Sequence, residues 1–166
     1  TLEQLNVTPL ARWEIIVGKL LPYALIGMIE VVVVLTFATF WFHIPILGSK
    51  LLLFACSAIY LLTTLGLGLF ISTISQTQQQ AMMTATFFFL MPMLYLSGFI
   101  FPIENMPAII QKFTYLIPLR YFIVILRGIF LKGVGVAVLW PQILALLAWG
   151  VTILALAVAR SRKTLA

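Results

Sequence analysis

Apolar residues in this chain run together in four blocks, at residues 22–42, 51–71, 81–101 and 138–159. Each block is close to the ~20 residues that a helix rising ~1.5 Å per residue needs to cross about 30 Å of hydrocarbon. A segment in lipid must pair its own backbone groups, so helix is the expected conformation. The run Val31-Val32-Val33-Val34 is strand-like in composition. β-propensity is nevertheless a weak preference beside the cost of an unpaired amide in hydrocarbon. The pattern predicts an all-α membrane protein with four transmembrane helices, residues 1–166 forming a single transmembrane domain.

The connections between blocks differ in character. Residues 43–50 make a short turn containing Pro45 and Gly48, and residues 72–80 are polar but uncharged. Residues 102–137 form a long connection punctuated by Pro102, Pro107, Pro118, Gly128, Gly133 and Gly135. Within it, Ile109, Ile110, Phe113, Leu116 and Ile117 stand against Gln111, Lys112 and Thr114, and Pro118 can open a second helix reaching about Leu131. That second piece would be roughly 21 Å long, too short to span, and it carries Arg120 and Arg127. An arginine at mid-membrane costs about 2.5–3.5 kcal/mol on an insertion scale, so a re-entrant or interfacial helix pair is predicted instead of a fifth span.

Composition makes lipid the solvent. The chain has 166 residues, 63% hydrophobic and 8% charged, with mean hydropathy +1.18. Soluble domains carry about 25% charged residues, and so little charge could not cover a water-facing surface. The net charge of +6 does not indicate nucleic acid, because the longest basic run is Arg160-Ser161-Arg162-Lys163 and no aromatic-rich polar surface surrounds it. Such charges report topology. With both ends cytoplasmic, Arg12, Lys19, Arg160, Arg162 and Lys163 fall inside, against Lys50, Lys112, Arg120, Arg127 and Lys132 outside. The tally is balanced, and the compact basic clusters at the chain ends favour cytoplasmic termini. The lone Cys56 excludes an intrachain disulfide and a cysteine zinc site, and reads as a small core hydrophobe. His43, in an outer turn without a second histidine or acidic neighbour, does not read as a metal ligand.

The first 19 residues are organised differently. Thr1-Leu2-Glu3-Gln4 fits a capping box, and Thr8-Pro9 fits a second helix start with proline at the first helical position. Leu10, Trp13, Val17 and Leu20 then recur at helical spacing, while Arg12 and Lys19 share another face. This predicts a helix at the membrane surface that turns into the first span, serving either as an interfacial anchor or as a docking element for a partner.

The stretch from Thr1 to Leu10, followed by Glu14-Ile15-Ile16-Val17-Gly18-Lys19, resembles the region preceding the third span in permeases of the ABC-2 type export family, most of all the bacterial multidrug-efflux-like branch. The resemblance implies a cytoplasmic coupling helix on an ATPase subunit, with Leu2, Glu3, Leu5, Thr8, Pro9 and Arg12 at the contact. It further implies that the chain was cut from a longer protein and that the four blocks are the third to sixth spans. Leu96-Ser97-Gly98-Phe99-Ile100-Phe101-Pro102, Met106-Pro107 and Pro118-Leu119-Arg120-Tyr121-Phe122 are similar to the same family's outer segment. There the implied roles are an amphipathic plug or an outer gate, with Gly98, Phe101, Pro102, Arg120, Tyr121 and Arg127 as gate candidates.

Glu30 is the only acidic residue inside a predicted span and needs a partner or a wet cavity. It faces the translocation path or a dimer seam, or else makes a structural hydrogen bond to another helix. Thr64, Gly68 and Ser72 on one span, and Ala148, Thr152, Ala155 and Ala159 on the last, form small-residue rows expected to mark helix packing. Trp41 and Trp140 fall at outer span ends, where an aromatic belt is expected. No G-x-x-x-x-G-K-[ST], G-x-S-x-G or H-E-x-x-H occurs, and no charged ladder runs along the spans.

The expected function is a permease subunit of an ATP-driven exporter in the bacterial inner membrane, moving a hydrophobic or amphiphilic substrate. It is not itself an enzyme: ATP and Mg²⁺ belong to the partner ATPase, and this chain needs no cofactor of its own. The expected partners are two ATP-binding subunits, a second permease copy or paralogue, membrane lipid, and a periplasmic adaptor protein as a further candidate, but no nucleic acid. The rival readings are an ATPase-independent secondary transporter or channel, and a non-transporting scaffold.

Overall fold

The computed structural model describes residues 12–161, all of whose regular elements are helical. Helix α1 (Arg12–Phe40) and α2 (Lys50–Ile74) are followed by α3 (Gln78–Thr84), a π-helical segment (Ala85–Leu90) and α4 (Met91–Leu96). Then come a 3₁₀ turn (Ile103–Asn105), α5 (Ala108–Thr114), α6 (Pro118–Arg127) with a π-helical end (Gly128–Lys132), and α7 (Val136–Ser161). Three helical stretches are long and apolar enough to cross a membrane: Ile16–Phe40, Lys50–Ile74 and Val136–Arg160. The run from Gln78 to Leu96 opens on three glutamines and is not one of the three. Helices α5 and α6 meet the length test only as a pair bent by 86°.

Several boundaries differ from those expected. Helix α1 passes through Pro22 without a break, so the turn expected between a surface helix and the first span is not present from Arg12 onward. Proline deprives the carbonyl four residues earlier of its partner and crowds it. That residue is Gly18, which has open space around it. The polar connection predicted over 72–80 shrinks to residues 75–77 because its own polar groups cap helices. Ser75 closes α2, its N–H bonding the Ile71 carbonyl at 3.1 Å. Thr77 Oγ1 accepts from the Gln80 N–H at 3.2 Å, while Gln80 Oε1 accepts from the Gln76 N–H at 2.9 Å. The third expected span ends at Leu96 instead of Phe101, since residues 97–101 leave the helix through Gly98 (φ +85°). Its π-helical middle precedes Pro92, which has no N–H to offer, and the Met91 N–H bonds the Thr86 carbonyl five residues back.

Helix α6 is the centre of the bundle. Ile125 and Ile129 have no exposed surface, and they cluster with Leu53 and Cys56 of α2 and Leu139 and Leu146 of α7. At one end of the bundle, the α1–α2 turn is fastened to the end of α6: the Gly48 N–H donates to the Ile129 carbonyl at 3.0 Å. Gly133, in the left-handed region at φ +61°, lets the chain fold back with its α-carbon close to the Leu47 carbonyl. Trp41 and Trp140 are exposed at this same end.

Close helix packing lies elsewhere than the small-residue rows suggest. Gly68 has nothing near it, and Ser72, Ala148, Thr152, Ala155 and Ala159 are exposed, so both rows face mainly outward. The α2–α7 contact runs instead through Thr63, Gly66, Gly150, Ile153 and Leu154. A Cβ built on Gly150 would stand 2.9 Å from Thr63 Oγ1. That hydroxyl is pinned by donating to the Ile59 carbonyl at 2.9 Å, and Thr63 is wholly buried. Gly150→Ala should therefore lower stability by about 1–3 kcal/mol through overpacking, whereas Gly68→Ala should be neutral or add up to about 1 kcal/mol of helix propensity. Thermal unfolding of the two variants in detergent checks this; equal midpoints would exclude the α2–α7 packing described.

Candidate functional site

Two places bring polar chemistry into an apolar frame. The first is the α5–α6 corner. Phe113, Leu116, Ile117 and Pro118 share a cavity of about 270 Å³ with Leu67 of α2 and Trp149 and Ile153 of α7. Leu67 lies roughly 25 Å along α2 from Lys50, so the corner sits deep within the helical layer. From there α6 climbs back to the Gly48 end.

An arginine in such a place needs acceptors, and both find them. Arg120, one turn into α6, bonds through Nη1 to the Thr114 hydroxyl and to the Gln111 carbonyl at 3.5 Å, and its guanidinium lies 3.8 Å from the Tyr115 ring centroid. The Gln111 carbonyl and the Tyr115 ring at the end of α5 are thus met by a cation, which also matches the negative end of that helix. Tyr121 donates to the Tyr115 carbonyl at 2.8 Å, a second tie across the same corner. Arg127, two turns on, bonds through Nη2 to the Gly98 carbonyl at 2.9 Å and joins α6 to the end of α4. Gly98 owes its left-handed φ to the lack of a Cβ, and Ile103 packs against the space a Cβ would fill. The adjacent Ser97 is buried, its oxygen accepting from the Phe99 N–H at 3.3 Å. Phe101 stacks on Tyr95 at 6.3 Å, and with Pro102 it borders a cleft of about 390 Å³ that reaches Ile110.

The second place is a groove of about 280 Å³ between α1, α2 and α6. Glu30 lies on its edge, ten residues or about 15 Å from the end of α1. The carboxylate is exposed and has no hydrogen-bond or ion-pair partner among the described residues. Tyr60 and Phe122, which also line the groove, stack in parallel with centroids 4.3 Å apart.

Of the six gate candidates singled out from sequence, Arg127 is brought to Gly98, Arg120 and Tyr121 meet the end of α5, and Phe101 and Pro102 border the adjoining cleft, while Glu30 stands in the separate groove. Leu2, Glu3, Leu5, Thr8 and Pro9 lie outside the described residues, and Arg12 is described only as the first backbone position of α1. Sequence reasoning missed Gln111, Thr114 and Tyr115 as the acceptors of Arg120, and the Tyr60–Phe122 pair. A signal for the former was present: an arginine soon after a proline-started helix lies within reach of the preceding helix's free carbonyls.

An all-helical chain with several apolar spans and satisfied cations at depth defines a multi-pass membrane protein. Residues 1–131 match the family described as ABC-2 type transporter, and the chain belongs to that family. It is 39% identical over 165 residues to the probable multidrug ABC transporter permease YbhS of Escherichia coli (strain K12), covering 99% of this chain and 44% of that protein. To the probable multidrug ABC transporter permease YbhR of the same organism it is 38% identical over 147 residues, covering 89% and 40%. To its inner membrane transport permease YhhJ it is 30% identical over 166 residues, covering 99% and 44%. The chain spans less than half the length of these relatives. No solved structure matches it.

Removing the α6–α4 tie should loosen the segment after α4 specifically. Arg127→Met is expected to cost about 1.5–3 kcal/mol, as for a hydrogen bond to a charged group, and to speed amide hydrogen exchange at residues 97–106 more than in α7. Uniform exchange across the chain would count against this role for Arg127.

Proposed function

We propose that this chain is the membrane-spanning part of a permease in an ATP-driven ABC-2 type exporter, moving a hydrophobic or amphiphilic substrate. The family match over residues 1–131 carries the reading, supported by the likeness to proteins named as permeases along nearly the whole chain. In this reading the helical run from Gln78 to Leu96 completes four spans. Both ends of the chain are cytoplasmic, residues 102–137 re-enter from the outer side, and the membrane is the bacterial inner membrane. Two permease copies, or one with a sister subunit, recruit two ATP-binding subunits that hold ATP and Mg²⁺, and a periplasmic adaptor completes the export route.

In this reading motion passes along the helices as follows. ATP-driven closure acts on Leu2, Glu3, Leu5, Thr8, Pro9 and Arg12, the last of which is the first residue of α1. Helix α1 is continuous for 29 residues, about 43 Å, and transmits displacement as a rod to the 41–49 turn. That turn holds the end of α6 through Gly48 and Ile129, and α6 holds Gly98 through Arg127. The outer gate at Gly98, Phe101, Pro102, Arg120, Tyr121 and Arg127 is therefore joined to the coupling end through packed and hydrogen-bonded elements.

The test is purification of the full-length protein from its native membrane. An ATP-binding subunit should co-purify, and Leu5→Glu or Arg12→Glu should cut ATP hydrolysis by about fivefold or more while leaving the permease folded. Transport by the full-length protein in vesicles with no ATPase present would overturn the reading in favour of a secondary transporter or channel.

A further inference from the structure

We infer that the groove between α1, α2 and α6 is a binding site for a hydrophobic organic cation, with Glu30 as its counter-charge. The inference deepens the permease reading by naming a ligand class, and rests on it only for a part in transport.

Three observations converge. Glu30 stands near the middle of α1 without a partner among the described residues, and an anion at that depth calls for a cation. The rest of the groove is apolar but for Ser57 and Tyr60: Gly27, Val31, Val34 and Leu35 of α1 face Leu53 and Leu61 of α2. A strongly hydrated inorganic ion would lose its water there without oxygen ligands to replace it, whereas an organic cation brings its own apolar bulk. The stacked pair of Tyr60 and Phe122 adds aromatic surface of the kind that attracts cations within about 6 Å of a ring.

The shape is set before any ligand arrives. Leu53 is almost wholly buried, Gly27 has Leu61 tight against it, and the parallel rings tie α2 to α6. At about 280 Å³ the groove falls just below the ~300–1,000 Å³ common for small-molecule sites, suited to one compact, rigid molecule. A lysine or arginine from another helix could also reach Glu30, but its narrow stem would leave the aromatic pair and the valine wall uncovered. A compact aromatic cation covers both.

Phenyltrimethylammonium is a suitable probe: monovalent, rigid, aromatic and small enough for the groove. Its binding to the full-length protein in lipid nanodiscs, followed by equilibrium dialysis of radiolabelled probe without nucleotide, should be saturable. Glu30→Gln should weaken it about tenfold or more, and Phe122→Leu by a few fold. Glu30→Asp should keep most of the affinity, which separates loss of charge from loss of fold. Absence of saturable binding by the unmodified protein overturns the inference, as does equal affinity in Glu30→Gln. So does a fall in oligomer mass in Glu30→Gln with probe binding unchanged, which would assign the carboxylate to a helix partner. Binding is read without turnover, so failure to find an ATPase partner would overturn the permease reading and leave this result standing.

Discussion

Backbone that neither spans the membrane nor reaches water must be covered by protein, and this condition governs the bundle. Helix α6 starts deep among the other helices, after the 86° bend from α5. It persists because Ile125 and Ile129 are enclosed on both sides, by Leu53 and Cys56 of α2 and by Leu139 and Leu146 of α7. Non-helical backbone at such depth is tolerated only when buried in protein or lining a cavity. The ends of α6 are tied in as well: Arg120 bonds the Gln111 carbonyl of α5, and the Ile129 carbonyl is taken by Gly48. The other elements can be described by where they stand relative to α6.

From that centre, the remaining helices divide into packed and open. Helices α2 and α7 meet closely through Thr63, Gly66 and Gly150 and bury the core. Helix α1 is joined mainly to α2, and most of its surface is exposed. Its bulky outward side chains, Val32, Val33 and Phe37 among them, contrast with the small-residue rows on the outer faces of α2 and α7. The protomer thus presents two textures, one rough and one flat, with Glu30 on the rough side.

Helix content was legible in the sequence because apolar runs of about 20 residues leave few alternatives to helix. The bent pair was legible too, since Pro107 and Pro118 divide it and its arginines argue against simple spanning. Direction around a helix was not. In a chain 63% hydrophobic, the face toward protein and the face toward lipid are both apolar, so periodicity is weak. The rows at Thr64 and Ala148 are expected to mark helix packing, yet within this chain Thr63 and Gly150 make the close contact. The glutamine tract misled for another reason: polar side chains that look like a loop satisfy helix ends instead, as Thr77 and Gln80 do. Within the site, Arg120 and Arg127 stood out as costly residues, but their acceptors are backbone carbonyls and a hydroxyl, which carry no mark of their role in the sequence.

The burial of α6 also has a consequence for the order of assembly. The chain is made from its N-terminal side, so α6 emerges after α2 and before α7. When its two arginines first meet the membrane, only half of the surface that encloses Ile125 and Ile129 exists. The acceptors of Arg120 and Arg127 lie in segments already made, at Gln111, Thr114 and Gly98. The cations can be neutralised early, while the apolar face waits for Leu139 and Leu146. The last helix therefore completes the enclosure of a segment synthesised before it, and a chain stopped short of α7 would leave its most deeply buried side chains uncovered.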